Sequence, residues 1–257
     1  CGCDNTGITD TTLRLQACIT RAYGITLPRV PVLLPPGTYL VSDTLNLTQK
    51  NPGGNDGINV VPCRFLPHAL IGQPTASGAV TARPVLKLAA NAPGFSGKPP
   101  PKMEAKPVVN LGAGGVNMNQ LFKGIDVDVT ATGNPGACGI FEGGAQGSTV
   151  TDVTVNASDD AYACFCGMNG AGGMHSNVQG HGGRYGIVTR GSQPVPSAVG
   201  LVLSGQSISA VVFEGQETLS LVGVTITIPP HATGPAIDAV SRLGMSLIDV
   251  TVVCTGT

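Results

Sequence analysis

The chain has 257 residues, a net charge of −1 and only 11% charged residues, compared with about 25% in an ordinary soluble domain. This balance excludes an extended basic surface for nucleic acid or for an anionic membrane, and no apolar run approaches the roughly 20 residues of a membrane-spanning helix. The 37 glycines and 20 prolines disfavour long helices and favour short strands joined by turns.

The N-terminal part predicts a helix followed by strands. Residues 10–24 favour one helix that Asp10 or a following threonine can cap, with Leu15 and Ile19 on one face together with Ala22. The next stretch, through Leu47, predicts a strand, a Pro-Pro-Gly turn and two more strands. A helix in this position would cover the open end of a solenoid.

Six later segments alternate apolar with polar or small residues, which is typical of half-buried strands. Their first apolar residues are Ile125, Val153, Val178, Leu201, Val224 and Val250, at intervals of 28, 25, 23, 23 and 26 residues. The residues between the apolar positions are expected to point the other way, and they include Asp126, Asp128, Thr154, Asn156, Gln179, His181, Thr225 and Thr227.

A second strand recurs between these segments, and a strict 24-residue register aligns it in three columns. The columns are Ile140, Cys164, Val188, Val212 and Ala236; then Phe141, Phe165, Thr189, Phe213 and Ile237; then Glu142, Cys166, Arg190, Glu214 and Asp238. Because stacked phenylalanines suit an interior, the middle column is predicted to face inward. The other two are then predicted to face outward, since burying four charges is costly.

Two short strands in each repeat predict a parallel β-helix, in which each coil buries its apolar side against its neighbours. The period is too short for a propeller blade. We predict a single all-β domain over residues 1–257, with about 24 residues per coil and an N-terminal α-helical cap. Residues 1–47 would form the cap and first strands, residues 48–120 loop-rich first coils, and residues 121–257 regular coils.

Several stretches resemble the pectate-lyase-like superfamily of right-handed parallel β-helices, in its exo-glucanase and rhamnogalacturonase-like branch. They are "TDTTLRLQACITRA" with "VPVLLPPGTYLVSDTLNL" near the N-terminus, and "AQGSTVTDVTV" and "GGRYGIVTRGSQP" in the repeats. The resemblance covers most of the chain and implies a right-handed helix. It leaves the activity open, because this fold hosts lyases, hydrolases, epimerases, tailspikes and non-catalytic modules.

The third column offers one candidate catalytic site. In the predicted register Arg190 and Glu214 are adjacent, and so are Glu214 and Asp238, about 4.8 Å apart along the stack. Two carboxyl groups at about 5 Å fit a retaining glycosidase. The alternative is a row of surface ion pairs beside an apolar contact stripe, whose members are Ile140, Val188, Val212 and Ala236.

A second candidate site resembles part of the polygalacturonase motif. Asp159 and Asp160 lie about one coil before His181, and in that family aspartates act as acid and base around a histidine. The Asn-Thr-Asp and Arg-Ile-Lys motifs of the family are missing here. A chain without tryptophan, with 4% aromatic residues, also offers few rings on which sugars could stack.

Metal binding has one weak candidate, and no other cofactor is expected. Asp126, Asp128 and Asp152 could supply the oxygen ligands that Ca²⁺ prefers. The alternative is that these carboxylates simply face solvent.

Cysteines and sequons predict an extracellular protein. Eight cysteines without zinc-type spacing favour disulfides. The candidates are Cys1, Cys3, Cys18, Cys63, Cys138, Cys164, Cys166 and Cys254, and Cys138 is a candidate partner for Cys164. Asn46 and Asn156 begin glycosylation sequons. A first residue other than methionine is interpreted as a product whose leader has been removed.

The last segment, "SLIDVTVVCTGT", predicts a strand without a cap, which would invite pairing with another chain. We therefore expect a secreted, disulfide-linked structural or adhesive subunit. It would assemble with copies of itself or a related chain through the apolar stripe and this end. The alternative, which the family resemblance implies, is a polysaccharide hydrolase or lyase.

Overall fold

The computed structural model describes residues 2–23, 30–48, 68–73, 82–97, 105–113, 118–144, 146–170, 172–190, 197–214, 218–240 and 244–256. They form one helix, α1 (Thr12–Ala22), and the strands β1 (Val32–Leu34), β2 (Gly37–Val41), β3 (Leu45–Asn46), β4 (His68–Gly72), β5 (Pro84–Leu88), β6 (Lys106–Ala113), β7 (Gln120–Lys123), β8 (Asp126–Val129), β9 (Ala137–Gly143), β10 (Thr149–Ala157), β11 (Ala163–Cys166), β12 (Met174–His181), β13 (Tyr185–Arg190), β14 (Ser197–Val199), β15 (Val202–Ser204), β16 (Ser209–Glu214), β17 (Leu219–Ile228), β18 (Ile237–Ala239) and β19 (Met245–Cys254).

The predicted helix is confirmed, and a threonine hydroxyl ties its first turn to the end of β2. Asp10 accepts hydrogen bonds from the backbone N–H and the hydroxyl of Thr12, and the Thr12 hydroxyl accepts from the Ser42 N–H at 2.8 Å. Leu15 and Ile19 are buried against the first coils. The helix therefore covers the N-terminal end of the strand stack, as its apolar face requires. The three strands predicted after it are also present, as β1 to β3.

The described strands pair in parallel and form two sheets. The large sheet contains twelve strands and the small sheet seven, in the order β18-β16-β13-β11-β9-β6-β3. From β9 onward the chain alternates between the sheets, so that each coil adds one layer to both. The predicted fold class, a parallel β-helix with a helix at its N-terminal end, is confirmed.

The large sheet follows the register that the alternation predicts. Its pairings include Val127 with Val155, Val153 with Val178, and Val202 with Thr225. With the remaining pairings they reproduce the intervals of 28, 25, 23, 23 and 26 residues. The inward valines and leucines of these strands, such as Val153, Val178 and Leu203, are buried between the sheets.

One bend in the large sheet recurs at the same position of successive coils. The residues there have positive φ angles: Gly124 (67°), Asp152 (57°), Asn177 (51°), Gly200 (66°), Gly223 (62°) and Asp249 (52°). Glycine adopts this conformation without a steric penalty, and Asn and Asp tolerate it better than other residues. The bend lets each coil turn a corner without breaking its pairing on either side.

The small sheet departs from the predicted 24-residue register. Ile140 pairs with Phe165, Phe165 with Ile187, Ile187 with Val211, and Val211 with Ile237. These partners are 25, 22, 24 and 26 residues apart, so the strict register is wrong. The turns that separate these strands differ in length, and a common glycine after each strand gave a misleading alignment.

The shifted register moves three predicted outward residues into the core. Ile140 takes the interior place beside Phe165, so the half-buried Phe141 points away from the core. Glu142 and Cys164, also expected outside, are completely buried. The interior placement of the middle column is correct for Phe165 and for Thr189 and Phe213, which are fully buried.

The predicted contact stripe is not an exposed surface. Ile140 lies in the core, and Val188 and Val212 are only 4% exposed. The two valines pack outside the small sheet in a second apolar cluster with Cys138, Tyr162 and Ala163. Ala236 is half-buried against the core. Assembly through this stripe is therefore not available to the folded chain.

A disulfide joins Cys138 to Cys166 across neighbouring strands of the small sheet. The expected pairing of Cys138 with Cys164 is wrong, because Cys164 points inward as a free thiol whose pKa burial raises to about 12. Cys18 is also disulfide-bonded, whereas Cys3 and Cys254 are free. The remaining two predicted candidates, Cys1 and Cys63, lie outside the described residues.

The last described strand, β19, leaves apolar side chains in contact with solvent. It pairs with β17 through residues 245–254. Leu247, Ile248, Val252 and Val253 are 44–52% exposed, although their partners in β17 include the fully buried Leu221 and Ile226. Among the described residues, no helix is long and apolar enough to cross a membrane.

Candidate functional site

A continuous row of outward polar residues crosses the large sheet, one residue for each coil. We call it the polar ladder; its rungs are Lys87, Asp128, Asn156, His181, Ser204 and Thr227. Each rung is paired directly in register with the next, from β5 through β8, β10, β12 and β15 to β17. Strand spacing then sets successive rungs about 4.8 Å apart.

The ladder faces outward because the strands alternate. Residues on either side of a rung, such as Val155 and Ala157 around Asn156, are buried. Lys87 and Asn156 are exposed, and the other rungs are half-exposed. The alternation in the sequence predicted the outward orientation of Asp128, Asn156, His181 and Thr227. The structure places these four residues on one face, as predicted.

His181 is held at the middle of the ladder by its neighbours. Its Nδ1 atom lies 2.7 Å from the Ser204 hydroxyl oxygen, and its Nε2 atom lies 3.3 Å from Oε1 of Gln179. A neutral ring satisfies both contacts when Nε2–H donates to Gln179 and Nδ1 accepts from Ser204. The Gln179 amide N–H groups and the lone pairs of Ser204 then remain for a ligand.

Each acidic residue near the first rungs of the polar ladder has its own hydrogen-bond or ion-pair partners. Asp126 forms an ion pair with Arg83 at 3.3 Å and accepts the Thr154 N–H at 2.8 Å. Asp128 accepts two hydrogen bonds from Thr130.

Asp152, the third residue of the predicted Ca²⁺ set, has partners of its own. Lys123 lies 3.4 Å away, and Asn177 donates a hydrogen bond at 2.7 Å; these bonds, that of Asn177 foremost, lower the pKa of Asp152. The described residues contain no group of three or more His, Cys, Asp or Glu side chains that could hold a metal ion. Asp126, Asp128 and Asp152 therefore each have separate partners in this structure.

The predicted pair of catalytic carboxyl groups in the small sheet is not formed. Glu214 pairs in register with Arg190, as predicted, but Asp238 pairs with Val212. Two positions along the strand therefore separate Asp238 from the row of Glu214. The prediction failed because it took the same 24-residue interval across a turn that is longer.

The second predicted catalytic set is divided between a strand and a neighbouring turn. His181 pairs with Asn156 rather than with an aspartate. Asp159 and Asp160 lie beyond the end of β10, in the exposed turn before β11, where Asp160 accepts a hydrogen bond from Ser158. The histidine is thus part of a polar face, and the two aspartates belong to the turn beside it.

Two titratable residues, Glu142 and His175, are buried in the interior of the β-helix. The sequence did not predict the burial of either residue. Glu142 is fully buried, accepts the Gly144 N–H at 2.6 Å with Oε1, and leaves Oε2 without a partner. Burial raises the pKa of Glu142 to about 8. His175 is also fully buried beside Phe165, and burial lowers the pKa of its ring to about 4. Both groups are therefore uncharged near neutral pH.

Both predicted glycosylation sequons lie on outward strand positions. Asn46 is exposed on β3, where its Oδ1 accepts a hydrogen bond from Asn110 at 3.0 Å. Asn156 is itself a rung of the polar ladder. A glycan attached there would cover the ladder.

The arrangement as a whole can bind hydroxyl-rich ligands. Amide, hydroxyl and imidazole groups at regular spacing can each donate and accept hydrogen bonds, as sugar hydroxyls do. Lys87 and Ser204 were not among the predicted site residues. The signal was present, because each stands next to leucines that the alternation places inside: Leu86 and Leu88 around Lys87, and Leu203 before Ser204.

Comparison with known proteins shows which fold family the chain resembles. Residues 1–227 match the family "Rhamnogalacturonase A/epimerase, pectate lyase-like". No curated protein matches the chain in sequence. Several solved structures are similar to it. The A-module of mannuronan C-5 epimerase AlgE4 from Azotobacter vinelandii is 14% identical, with a TM-score of 0.41, over 100% of this chain and 96% of its own.

Two further structures carry other functions. One is a 1,3-alpha-1,4-beta-D-galactose-4-sulfate-3,6-anhydro-D-galactose-2-sulfate 4 galactohydrolase, 10% identical with a TM-score of 0.49, over 89% of this chain and 55% of that one. The other is the surface protein and adhesin PfbA of Streptococcus pneumoniae, 11% identical with a TM-score of 0.31, over 99% and 94%. Since these TM-scores are below 0.5, the fold assignment rests on the strand pairings and the family match.

Proposed function

Because the chain belongs to the rhamnogalacturonase A/epimerase, pectate lyase-like family, we propose that it is an extracellular module that binds a polysaccharide along the polar ladder. The observation that carries the proposal is the unbroken register of six outward polar rungs. An extended glycan laid across the strands would meet about one rung for each sugar, since the rungs repeat with the strand spacing. The role would be adhesive or structural.

Regular spacing favours binding by many weak contacts. Each exposed hydrogen bond contributes only about 0.5–1.5 kcal/mol, but contacts on one rigid face act together once the first has formed. The ladder is rigid because its backbone belongs to a continuous parallel sheet. Many weak contacts on a rigid face favour tight binding of a long polysaccharide and only weak binding of a single sugar.

Binding is favoured over hydrolysis by the arrangement of carboxylates. A retaining glycosidase needs two carboxyl groups about 5 Å apart, one of them poised as an acid. On the ladder, the neighbours of Asp128 are Lys87 and Asn156. Asp126, the other acidic residue on that strand, is occupied by Arg83. Hydrolase or lyase activity is the alternative that the experiment below tests.

An extracellular location is part of the proposal. The Cys138–Cys166 disulfide supports it, since such bonds persist in oxidising compartments. The exposed sequon residue Asn46, which lies away from the ladder, is compatible with it. Peptide mass mapping of the native protein without reduction would detect the disulfide, and a reduced Cys138 would contradict this part.

Retention on polysaccharides tests the function. The protein is run in native gels that contain each member of a glycan panel, beside the variant Asn156→Ala/His181→Ala. The variant is expected to lose at least about tenfold in affinity, because it removes two adjacent rungs. The matched control is Asp238→Ala, on the outer side of the small sheet, which should bind as the wild type does.

Two outcomes would contradict the proposal. One is a wild-type protein that no glycan of the panel retards, and the other is equal loss in the ladder variant and in Asp238→Ala. Release of reducing sugar by the wild type, abolished by Glu214→Gln or Asp160→Asn, would show instead that the chain is an enzyme with a site away from the ladder.

A further inference from the structure

We propose that the polysaccharide bound along the ladder is a neutral glycan rather than a polyuronate or a sulfated chain. This inference rests on the proposed function and specifies the class of ligand for the same face. It is carried by the charges of the described residues on and around the ladder.

The six rungs of the ladder include one lysine and one aspartate. Lys87 and Asp128 are directly paired in register and opposite in sign, and they occupy the first two rungs. The four rungs that follow, Asn156, His181, Ser204 and Thr227, include no carboxylate, lysine or arginine. A polyuronate carries about one negative charge for each sugar, and it would meet one cation and one anion along the whole row.

The basic residues beside the ladder are matched by carboxylates. Arg83 lies 3.3 Å from Asp126, and Lys123 lies 3.4 Å from Asp152. A bound uronate carboxylate or sulfate would have to compete with these carboxylates for the cations. Anionic polymers are usually held by clusters of Arg and Lys, whose guanidinium groups bind carboxylates in a fork. On this face Arg83 and Lys123 each have a carboxylate partner instead.

The middle rungs have the groups that neutral sugars need. Ser204 and Gln179 engage the two ring nitrogens of His181, and this contact fixes the Gln179 amide beside the ring. The Gln179 amide and the exposed Asn156 amide each offer both a donor and an acceptor. Sugar hydroxyls can fill either role, whereas a carboxylate or a sulfate offers acceptors only.

Salt dependence separates the two ligand classes. Native gels that contain neutral glucan, galactan or mannan are compared with gels that contain polygalacturonate or alginate, at about 0.05 M and 0.5 M NaCl. We expect a neutral glycan to retard the protein equally at both concentrations. We expect the polyuronates to leave its mobility unchanged. Retardation by a polyuronate that disappears in high salt, without retardation by any neutral glycan, would overturn the inference.

The two proposals fail in different ways. If no glycan of either class retards the protein, the proposed function is wrong. If a polyuronate is bound and the Asn156→Ala/His181→Ala variant weakens that binding, the function holds and the inference about ligand class is wrong.

A charge reversal sharpens the test. Asp128→Lys places a second cation next to Lys87, and it is expected to create retardation by polygalacturonate that high salt removes. The control Asp238→Lys makes the same change of charge on the small sheet and should create none. Equal retardation of both variants would show a general charge effect and would count against recognition at the ladder.

Discussion

Glu142 is the residue whose environment differs most from its expected one. It lies near the end of β9 and in the interior of the β-helix. In the next two coils of the small sheet, Gly167 and Thr189 occupy the corresponding position. Complete burial penalises the charged carboxylate and raises its pKa to about 8, while one hydrogen bond from Gly144 opposes the shift. The side chain is therefore protonated at neutral pH.

The stability of the protein should fall with rising pH because of Glu142. The pKa of this glutamate is 4.5 in the unfolded chain and about 8 in the folded protein. Between these two pH values the folded protein therefore holds a proton that the unfolded chain has released. The stabilising effect of this proton uptake is complete below pH 4.5 and lost as the pH rises to about 8. Glu142→Gln should remove this slope and raise the free energy of unfolding at pH 8 by a few kcal/mol, on the order expected for a shift of this size.

Urea unfolding of the wild type and the variant at pH 5, 6.5 and 8 measures the slope. Glu142→Asp keeps a buried carboxyl group and should keep the pH dependence. A Gln variant with the same slope as the wild type would show that Glu142 is not the group responsible.

At the scale of elements, a hydrogen bond already joins the side chains at two successive bends of the large sheet. Asn177 donates from its amide to Asp152 one coil below, at 2.7 Å, and the next two bends are Gly200 and Gly223. A Cβ atom at Gly200 would lie 3.7 Å from the nearest atom, and one at Gly223 would lie 3.9 Å away. Both sites therefore have room for a side chain.

Gly200→Asn and Gly223→Asn should each stabilise the protein by about 0.4–1 kcal/mol. Asparagine tolerates the positive φ, reduces the entropy of the unfolded chain and can extend the row of amides from Asn177. Thermal unfolding measures the effect. Gly200→Ala is the matched control and should destabilise by about 1 kcal/mol, because alanine is strained at φ 66°. A gain with alanine as large as with asparagine would contradict the role of the amide.

At the scale of the whole molecule, β19 presents the core side of a coil to solvent. Val252 pairs with the fully buried Ile226 yet is 46% exposed, and Leu247 is 47% exposed. An open apolar strand of this length favours pairing with another chain. We therefore expect any self-association to use this strand rather than the buried stripe of Val188 and Val212.

Val252→Lys should reduce self-association, because an inward lysine on an edge strand opposes pairing. Sedimentation velocity over a range of protein concentrations measures the mass of the particles. Thr225→Lys adds the same charge to the outer face of β17 and should leave the mass unchanged. A wild type that stays monomeric at all concentrations would contradict the prediction.

The sequence by itself determined the large sheet from β8 onward and the outward orientation of four rungs, Asp128, Asn156, His181 and Thr227. Alternation is local, so Val153 and Val155 point inward and Asn156 outward whatever the next coil does. Each coil also marks its bend with Gly, Asn or Asp, which sets the strands of neighbouring coils in the same register. The tertiary structure decided the small sheet, because its strands follow turns of unequal length and no bend of this kind marks their register. That is why the burial of Glu142, the Cys138–Cys166 bond and the separation of Glu214 from Asp238 appeared only when the coils were stacked.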